Sequence, residues 1–267
     1  LPPEIEAAMQ ARYHLDEPLW QQYFRYMGGL LRGDLGPSFQ YEERTVAELI
    51  GNGLPVSLQL GALSLLLALI VGGALGIVAA RHPGSLRDRW LSNLSLVGVS
   101  LPNYVVAPLL VLLFSIALGW LPAGGWRENT VSDMVLPVIA LSLPQIAYIA
   151  RLLRGGLLEA LAAPYVRTAR AKGLPERLIV LRHALRPALI PVLSHLGPAA
   201  AGILTGSVVV EQVFSIPGIG RYFVLAALNR DYTLVLGVVL VYGSLIIVSN
   251  FLVDLLYGSI DPRMRPR

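Results

Sequence analysis

The chain contains no cysteine. Disulfides, thiolate metal sites and a cysteine nucleophile are therefore excluded. Charge is scarce as well: 14% of the 267 residues are Asp, Glu, Lys or Arg, where a soluble domain carries about a quarter. No GxxxxGK[ST] run is present to cradle a nucleotide, and neither HExxH nor GxSxG occurs. The four histidines, His14, His82, His183 and His195, are scattered, so neither a metal site nor a cofactor site is read from them. What fills the space is apolar. Hydrophobic residues make up 55% of the chain, and the mean hydropathy is +0.62. Lipid is the solvent this composition fits.

Several stretches without formal charge approach or exceed the roughly 20 residues a helix needs to cross a bilayer. They are Leu54 to Ala80, Leu94 to Leu118, the shorter run between Asp133 and Arg151, the run between Arg186 and Glu211, and that between Asp231 and Asp254. Unpaired backbone groups are too costly in lipid, so each is expected to be helical. Prolines 102, 108, 137, 144, 191 and 198 imply kinks that neighbouring helices accommodate. Small residues at i, i+4 spacing, Ala68, Gly72, Gly76 and Ala80, and again Gly202 and Gly206, let helices approach closely. Such ridges read as bundle packing rather than dimerisation.

A sequence pI near 9.5 would suit nucleic acid if the basic residues were spread over one surface. They alternate between loops instead. Segments 81–93, 151–186 and 254–267 hold three, eight and three Lys or Arg. Segments 1–53, 119–133 and 211–231 hold four, one and two, against twelve acids. The positive-inside rule makes the first set cytoplasmic and the second external. Segment 1–53 then lies outside as an extracytoplasmic part with short helices, ahead of a transmembrane domain at 54–267. No signal peptide opens it, and an additional span before Leu1 would bring the total to six. Within it Leu19, Tyr23, Met27 and Leu30, with Trp20, Phe24 and Leu31, form a helical stripe, read as packing against the bundle. Asn93-Leu94-Ser95 matches a glycosylation acceptor but falls at a cytoplasmic boundary.

Polar residues inside the spans are few. His195 is read as a neutral histidine hydrogen-bonded to a neighbouring helix rather than a substrate ligand, and Gln145 and Asn250 likewise. Ionisable groups are missing from mid-span, where a proton- or sodium-coupled carrier needs them. Ser194 and His195 are adjacent, but helix neighbours point about 100° apart. They do not make a catalytic dyad, so an intramembrane enzyme is not supported.

The long inner loop carries more information. Residues 164–175 read Pro-Tyr-Val-Arg-Thr-Ala-Arg-Ala-Lys-Gly-Leu-Pro. Proline at the first helical position costs no hydrogen bond. Gly173 can adopt the left-handed cap, and Pro175 prevents continuation. Arg170 and Lys172 near the end favour the helix dipole. Ala169 and Ala171 leave room for another protein to approach. On this chemistry alone the segment is equally a docking helix or a solvated basic loop.

Tyr165-Val166-Arg167-Thr168-Ala169-Arg170-Ala171-Lys172-Gly173, followed by Arg182-His183-Ala184-Leu185-Arg186-Pro187-Ala188-Leu189-Ile190-Pro191, resembles the coupling segment of ABC importer permeases of the peptide class. The wider importer pattern has Glu-Ala-Ala, three residues, then Gly. Here Arg167-Thr168-Ala169 stands in place of Glu-Ala-Ala with Gly173 in register, so a contact made by that glutamate does not transfer. The resemblance extends through Leu1–Glu4, Tyr13–Leu15, Gly33–Phe39, Ala140–Leu143, Pro217–Gly220, Asn229–Tyr232 and Asp254 through Pro262. It is stronger to oligopeptide permeases than to dipeptide, glutathione or nickel relatives.

The resemblance implies an all-α type I importer transmembrane domain with its coupling loop at about 151–186. It implies a second homologous permease, two cytosolic ATPase subunits that bind ATP and Mg, and an extracytoplasmic peptide-binding protein. Peptide would cross between the two permeases by alternating access in a bacterial inner membrane, and this chain would itself hydrolyse nothing. An outer turn, Pro217-Gly218-Ile219-Gly220, is either a docking loop for the binding protein or a connector between helices.

Overall fold

The computed structural model describes residues 16–41, 44–127 and 130–260. The motif positions Leu1–Glu4, Tyr13–Leu15, Asp261 and Pro262 lie outside them. Among the described residues the fold is helical, with one isolated bridge between Pro37 and Thr45. Helix α1 (Leu19–Leu30) forms where the apolar stripe placed it. The stripe is not packed, however: Leu19, Trp20, Tyr23, Phe24 and Leu31 are exposed. Among the described residues the expected burial of this stripe against the bundle is not seen.

Thr45 starts the next helix. Its hydroxyl accepts the Glu48 N–H, and the Glu48 carboxylate accepts the Thr45 N–H, both at 3.2 Å, a reciprocal cap. Helix α2 (Val46–Arg81) therefore begins well before the uncharged run at Leu54. Its 36 residues give it a length of about 54 Å.

The second expected span is broken rather than straight. Helix α3 (Leu86–Ser100) and helix α4 (Asn103–Leu110), the latter prolonged by π-helical turns over Val111–Ala117, meet at 103°. Pro102 supplies no N–H and pushes the residue before it out of the helical region; Leu101 is accordingly extended, at φ −85° and ψ 116°.

Helix α5 (Val131–Ala162) runs on through Pro137 and Pro144. The short helices α6 (Pro164–Ala171) and α7 (Glu176–Leu178) follow. A π-helical stretch, Ile179–Ala184, leads to α8 (Leu185–Ala188) and then to α9 (Ile190–Val213). Helix α10 (Ile219–Leu228) is short, and α11 (Tyr232–Ile260) completes the described chain. Four helices, α2, α5, α9 and α11, are long and apolar enough to cross a membrane, or five spans if the bent pair counts as one.

Small residues bring α2 against α5, as the ridge required. A Cβ on Gly72 would lie 2.7 Å from the Ile146 carbonyl oxygen, and one on Gly76 2.8 Å from that of Ala150. No side chain fits there. Around this seam Leu60, Leu136, Leu141, Ile203 and Phe214 fill one half of the bundle, and Ile149, Leu153, Leu157, Ala184 and Val192 the other. A third cluster joins α2, α10 and α11 through Leu49, Ile219, Leu234 and Val238. Leu66, Ile70, Ile247 and Phe251 are exposed on the outside of the bundle.

The two sets of loops separate as their charges predict. Ser57, Glu211 and Ile219 meet at one end, where Gly125 N–H also donates to the Phe214 carbonyl at 2.7 Å. Asp88 meets Arg154 at the other.

Candidate functional site

The short helix α6 is terminated by a complete double hydrogen bond. Gly173, at φ +76°, donates its N–H to the Arg170 carbonyl at 2.9 Å, and Leu174 donates to Ala169 at 3.3 Å. This is the Schellman pattern, in which the left-handed residue satisfies the last carbonyls. Nothing lies within 4 Å of where a Gly173 Cβ would be. The requirement for glycine is therefore one of backbone conformation and not of space.

Two side chains fasten α6 to the subunit. Val166 and Ala169 are buried against Ile179, with Leu161 and Leu174 packed beside them. Tyr165, Arg167, Thr168, Arg170, Ala171, Lys172 and Gly173 are exposed. Ala169 thus differs from its expected place: its small side chain faces the subunit's own core, so it offers no surface to a partner. A glutamate there would disrupt α6 before it could block docking. Arg170 pairs with Glu176 at 2.7 Å. The hydrogen bond from Arg170 holds the Glu176 carboxyl below its ordinary pKa. The remaining polar face is an open, basic platform.

The outer turn is built the opposite way. Pro217 is half-buried, while Gly218, Ile219 and Gly220 are buried. A Cβ on Gly220 would stand 2.6 Å from the Val208 Cα, and one on Gly218 2.6 Å from Ser57 Oγ. Three of the four residues expected to meet a binding protein are thus enclosed by this chain's own atoms. Of the two readings of Pro217–Gly220, docking loop or connector between helices, this burial favours the connector, an internal bracket.

Glu211 holds that bracket, a role that an acid at a helix end does not announce by its position in the chain. Its carboxylate is fully buried. It accepts Ser57 Oγ at 2.7 Å, the Gly220 N–H at 2.8 Å and the Arg221 N–H at 3.2 Å. Ser57 Oγ in turn accepts the Ile219 N–H at 3.0 Å. A carboxylate at the start of α10 satisfies donors that have no intrahelical partner and complements the helix dipole.

A second acid works nearby. Asp231 accepts the Ser38 hydroxyl, the Gln40 N–H at 3.2 Å and the Leu234 N–H at 3.1 Å. Burial raises its pKa, but these bonds outweigh it and leave the carboxyl below its usual range. The motif segments Gly33–Phe39 and Asn229–Tyr232 thereby form one joint.

At the other end of the bundle Asp88 and Arg154 form a bidentate pair, Nε to Oδ1 at 2.5 Å and the second bond at 2.8 Å. Asp88 also accepts the Gly84 N–H at 2.9 Å. The α2–α3 loop is thus locked to α5, the helix that continues into α6. Between α5 and α9, His195 Nε2 and Gln145 Oε1 are hydrogen-bonded at 3.1 Å, the bond to a neighbouring helix that was expected. Asn250 bonds its own helix at the Ile246 carbonyl. Among the described residues no group of three or more His, Cys, Asp or Glu could hold a metal.

The described residues form a bundle of long apolar helices with a capped basic helix presented at one end. The family described as "binding-protein-dependent transport system inner membrane component" matches residues 72–266, and the chain belongs to it. Among its relatives are the oligopeptide transport system permease proteins OppB of Haemophilus influenzae, 50% identical over 99% of this chain and 86% of that one, and of Escherichia coli K12, 51% identical over 99% and 87%. The dipeptide transport system permease protein DppB of Bacillus subtilis is 41% identical over 98% and 84%. Among solved structures, a chain of the MetNI methionine ABC transporter in an inward-facing conformation superposes with a TM-score of 0.68 at 17% identity, covering 80% of this chain and 96% of that one. The fold is that of an ABC importer transmembrane domain.

Proposed function

We propose that this chain is the permease subunit of an ATP-driven importer that takes up oligopeptides delivered by an extracytoplasmic binding protein. It would act in a bacterial inner membrane beside a second, homologous permease. Two ATPase subunits would dock on the exposed face of α6 and bind the ATP and Mg, leaving this chain without catalysis of its own. The observation that carries the reading is α6 itself, a capped helix anchored by Val166 and Ala169 with its polar face turned outward. Half-identity to oligopeptide permeases along nearly the whole chain supports the cargo class.

Motion of α6 would reach the spans along two routes. Helix α5 joins α6 through Ala163 alone, and the Asp88–Arg154 pair ties α5 to α3. Residues 172–189 connect α6 to α9, whose far end carries the Glu211 bracket. A rigid element with two positions can be biased from either end.

The test is reconstitution of the assembled complex in liposomes with peptides of graded length and, separately, nickel. ATP-dependent uptake of peptides longer than two residues is expected. Uptake that persists without the ATPase subunits would replace this reading with that of a secondary carrier.

A further inference from the structure

A polar cluster that the coupling route does not use lies between two helices of the bundle. Gln145 lies on α5 and His195 on α9, joined by their 3.1 Å hydrogen bond. Tyr148 stacks on the imidazole with ring centroids 5.2 Å apart and planes at 30°. The group is not enclosed. Tyr148 is 40% exposed, and Gln145 and His195 are each half-buried. On α9 the neighbouring positions Ser194, Pro198, Gly202 and Thr205 are exposed too. Gly202 matters most, because a Cβ there would lie 3.3 Å from Gln145 Nε2; without one, the amide stays uncovered.

The valences left over are specific. A glutamine carbonyl only accepts, so the imidazole carries its proton on Nε2 and keeps Nδ1 as an acceptor, while the Gln145 NH2 keeps its donors. The reverse assignment, amide N–H into Nε2, leaves an imidazole N–H donor and the amide carbonyl. Both assignments leave a neutral donor beside a neutral acceptor. Lipid offers nothing to such groups, whereas a water-filled passage does. Gln145 is six residues from Arg151, about 9 Å along α5, which puts the cluster toward the cytoplasmic mouth.

We propose that Gln145 and His195 hydrogen-bond the main-chain amide of a peptide in transit, with Tyr148 as the flat wall beside it. A peptide group presents one N–H and one C=O, the complement of the free pair, whatever its side chains. An uncharged pair grips weakly enough to release. This deepens the peptide-import reading and rests on it.

The experiment uses the complete importer in liposomes with saturating loaded binding protein. The probes are tetra-alanine and its analogue N-methylated at the central amides. The readout is the ratio of their initial uptake rates. Because every variant meets the same binding protein, that protein's own preference cancels between variants. The native subunit is expected to favour tetra-alanine over the analogue by about tenfold more than do Gln145→Met and His195→Phe, the worth of one to two hydrogen bonds. Copurification of the partner subunits checks assembly, and each variant reads the ratio independently. An unchanged ratio in the assembled variants overturns the proposal, as does equal slowing of both peptides. Release of the second permease by Gln145→Met would make this face a subunit interface and overturn it as well. Absence of any peptide uptake by the native complex would instead remove the peptide-import reading beneath it.

Discussion

Helix α9 has a loop at each end, and the two use similar residues for opposite purposes. On one side Pro164, Gly173 and Pro175 punctuate a short helix whose polar face is open. On the other side Pro217, Gly218 and Gly220 punctuate a turn that is closed around the Glu211 carboxylate. The difference lies in what satisfies the backbone. Helix α6 satisfies its own end through Gly173 and Leu174, so no other helix supplies that cap. Helix α10 takes its first hydrogen bonds from Glu211 and Ser57, which belong to two other helices. A self-capped helix can move as a unit, whereas one capped by its neighbours is bound to them.

That contrast breaks most readily at Glu211. Glu211→Ala would leave the Gly220 and Arg221 N–H groups and the Ser57 hydroxyl without their acceptor. The expected loss is about 3 kcal/mol or more, visible as a lower melting temperature of the purified subunit and poor assembly. A variant that melts like the native subunit would show that the bracket is not a stability element.

Gly173→Leu probes the other end with a smaller structural cost. The left-handed conformation penalises a side chain by about 1–2 kcal/mol, and no neighbour obstructs it. The subunit should insert and assemble, yet ATP hydrolysis stimulated by loaded binding protein should fall sharply. Near-normal stimulation would remove α6 from the coupling route.

The smallest effect belongs to the Arg170–Glu176 pair. Both side chains are exposed, and such pairs contribute little. Arg170→Gln should leave the melting temperature unchanged. The Glu176 pKa is lowered in the folded chain, so what the pair contributes is present above the unfolded carboxylate value near 4.3 and is lost only as the pH falls through the lower folded value. Between pH 6 and 8 no titration of this pair should appear in stability. A large loss with Arg170→Gln would mean that α6 depends on the pair and is less self-sufficient than its cap suggests.

The sequence by itself determined the lipid solvent, the long apolar helices, the sorting of loops to two ends and the punctuation of α6. Each of these is written locally. Hydropathy needs about 20 consecutive residues, and a cap needs two or three. Even the ridge at Gly72 and Gly76 was legible, because small residues at helical spacing have few other uses in a membrane.

Only the tertiary structure decided the rest. Leu101 and Pro102 turn a continuous apolar run into two helices at 103°, although proline leaves other helices here unbroken. Ala169 points inward and Gly218 is enclosed because of Ile179, Ser57 and Glu211, which are distant in sequence or on other helices. Gln145 and His195 are fifty residues apart, and no local pattern could pair them. Burial and hydrogen-bond partnership depend on which helices come to lie side by side, and that is settled by packing across the whole bundle.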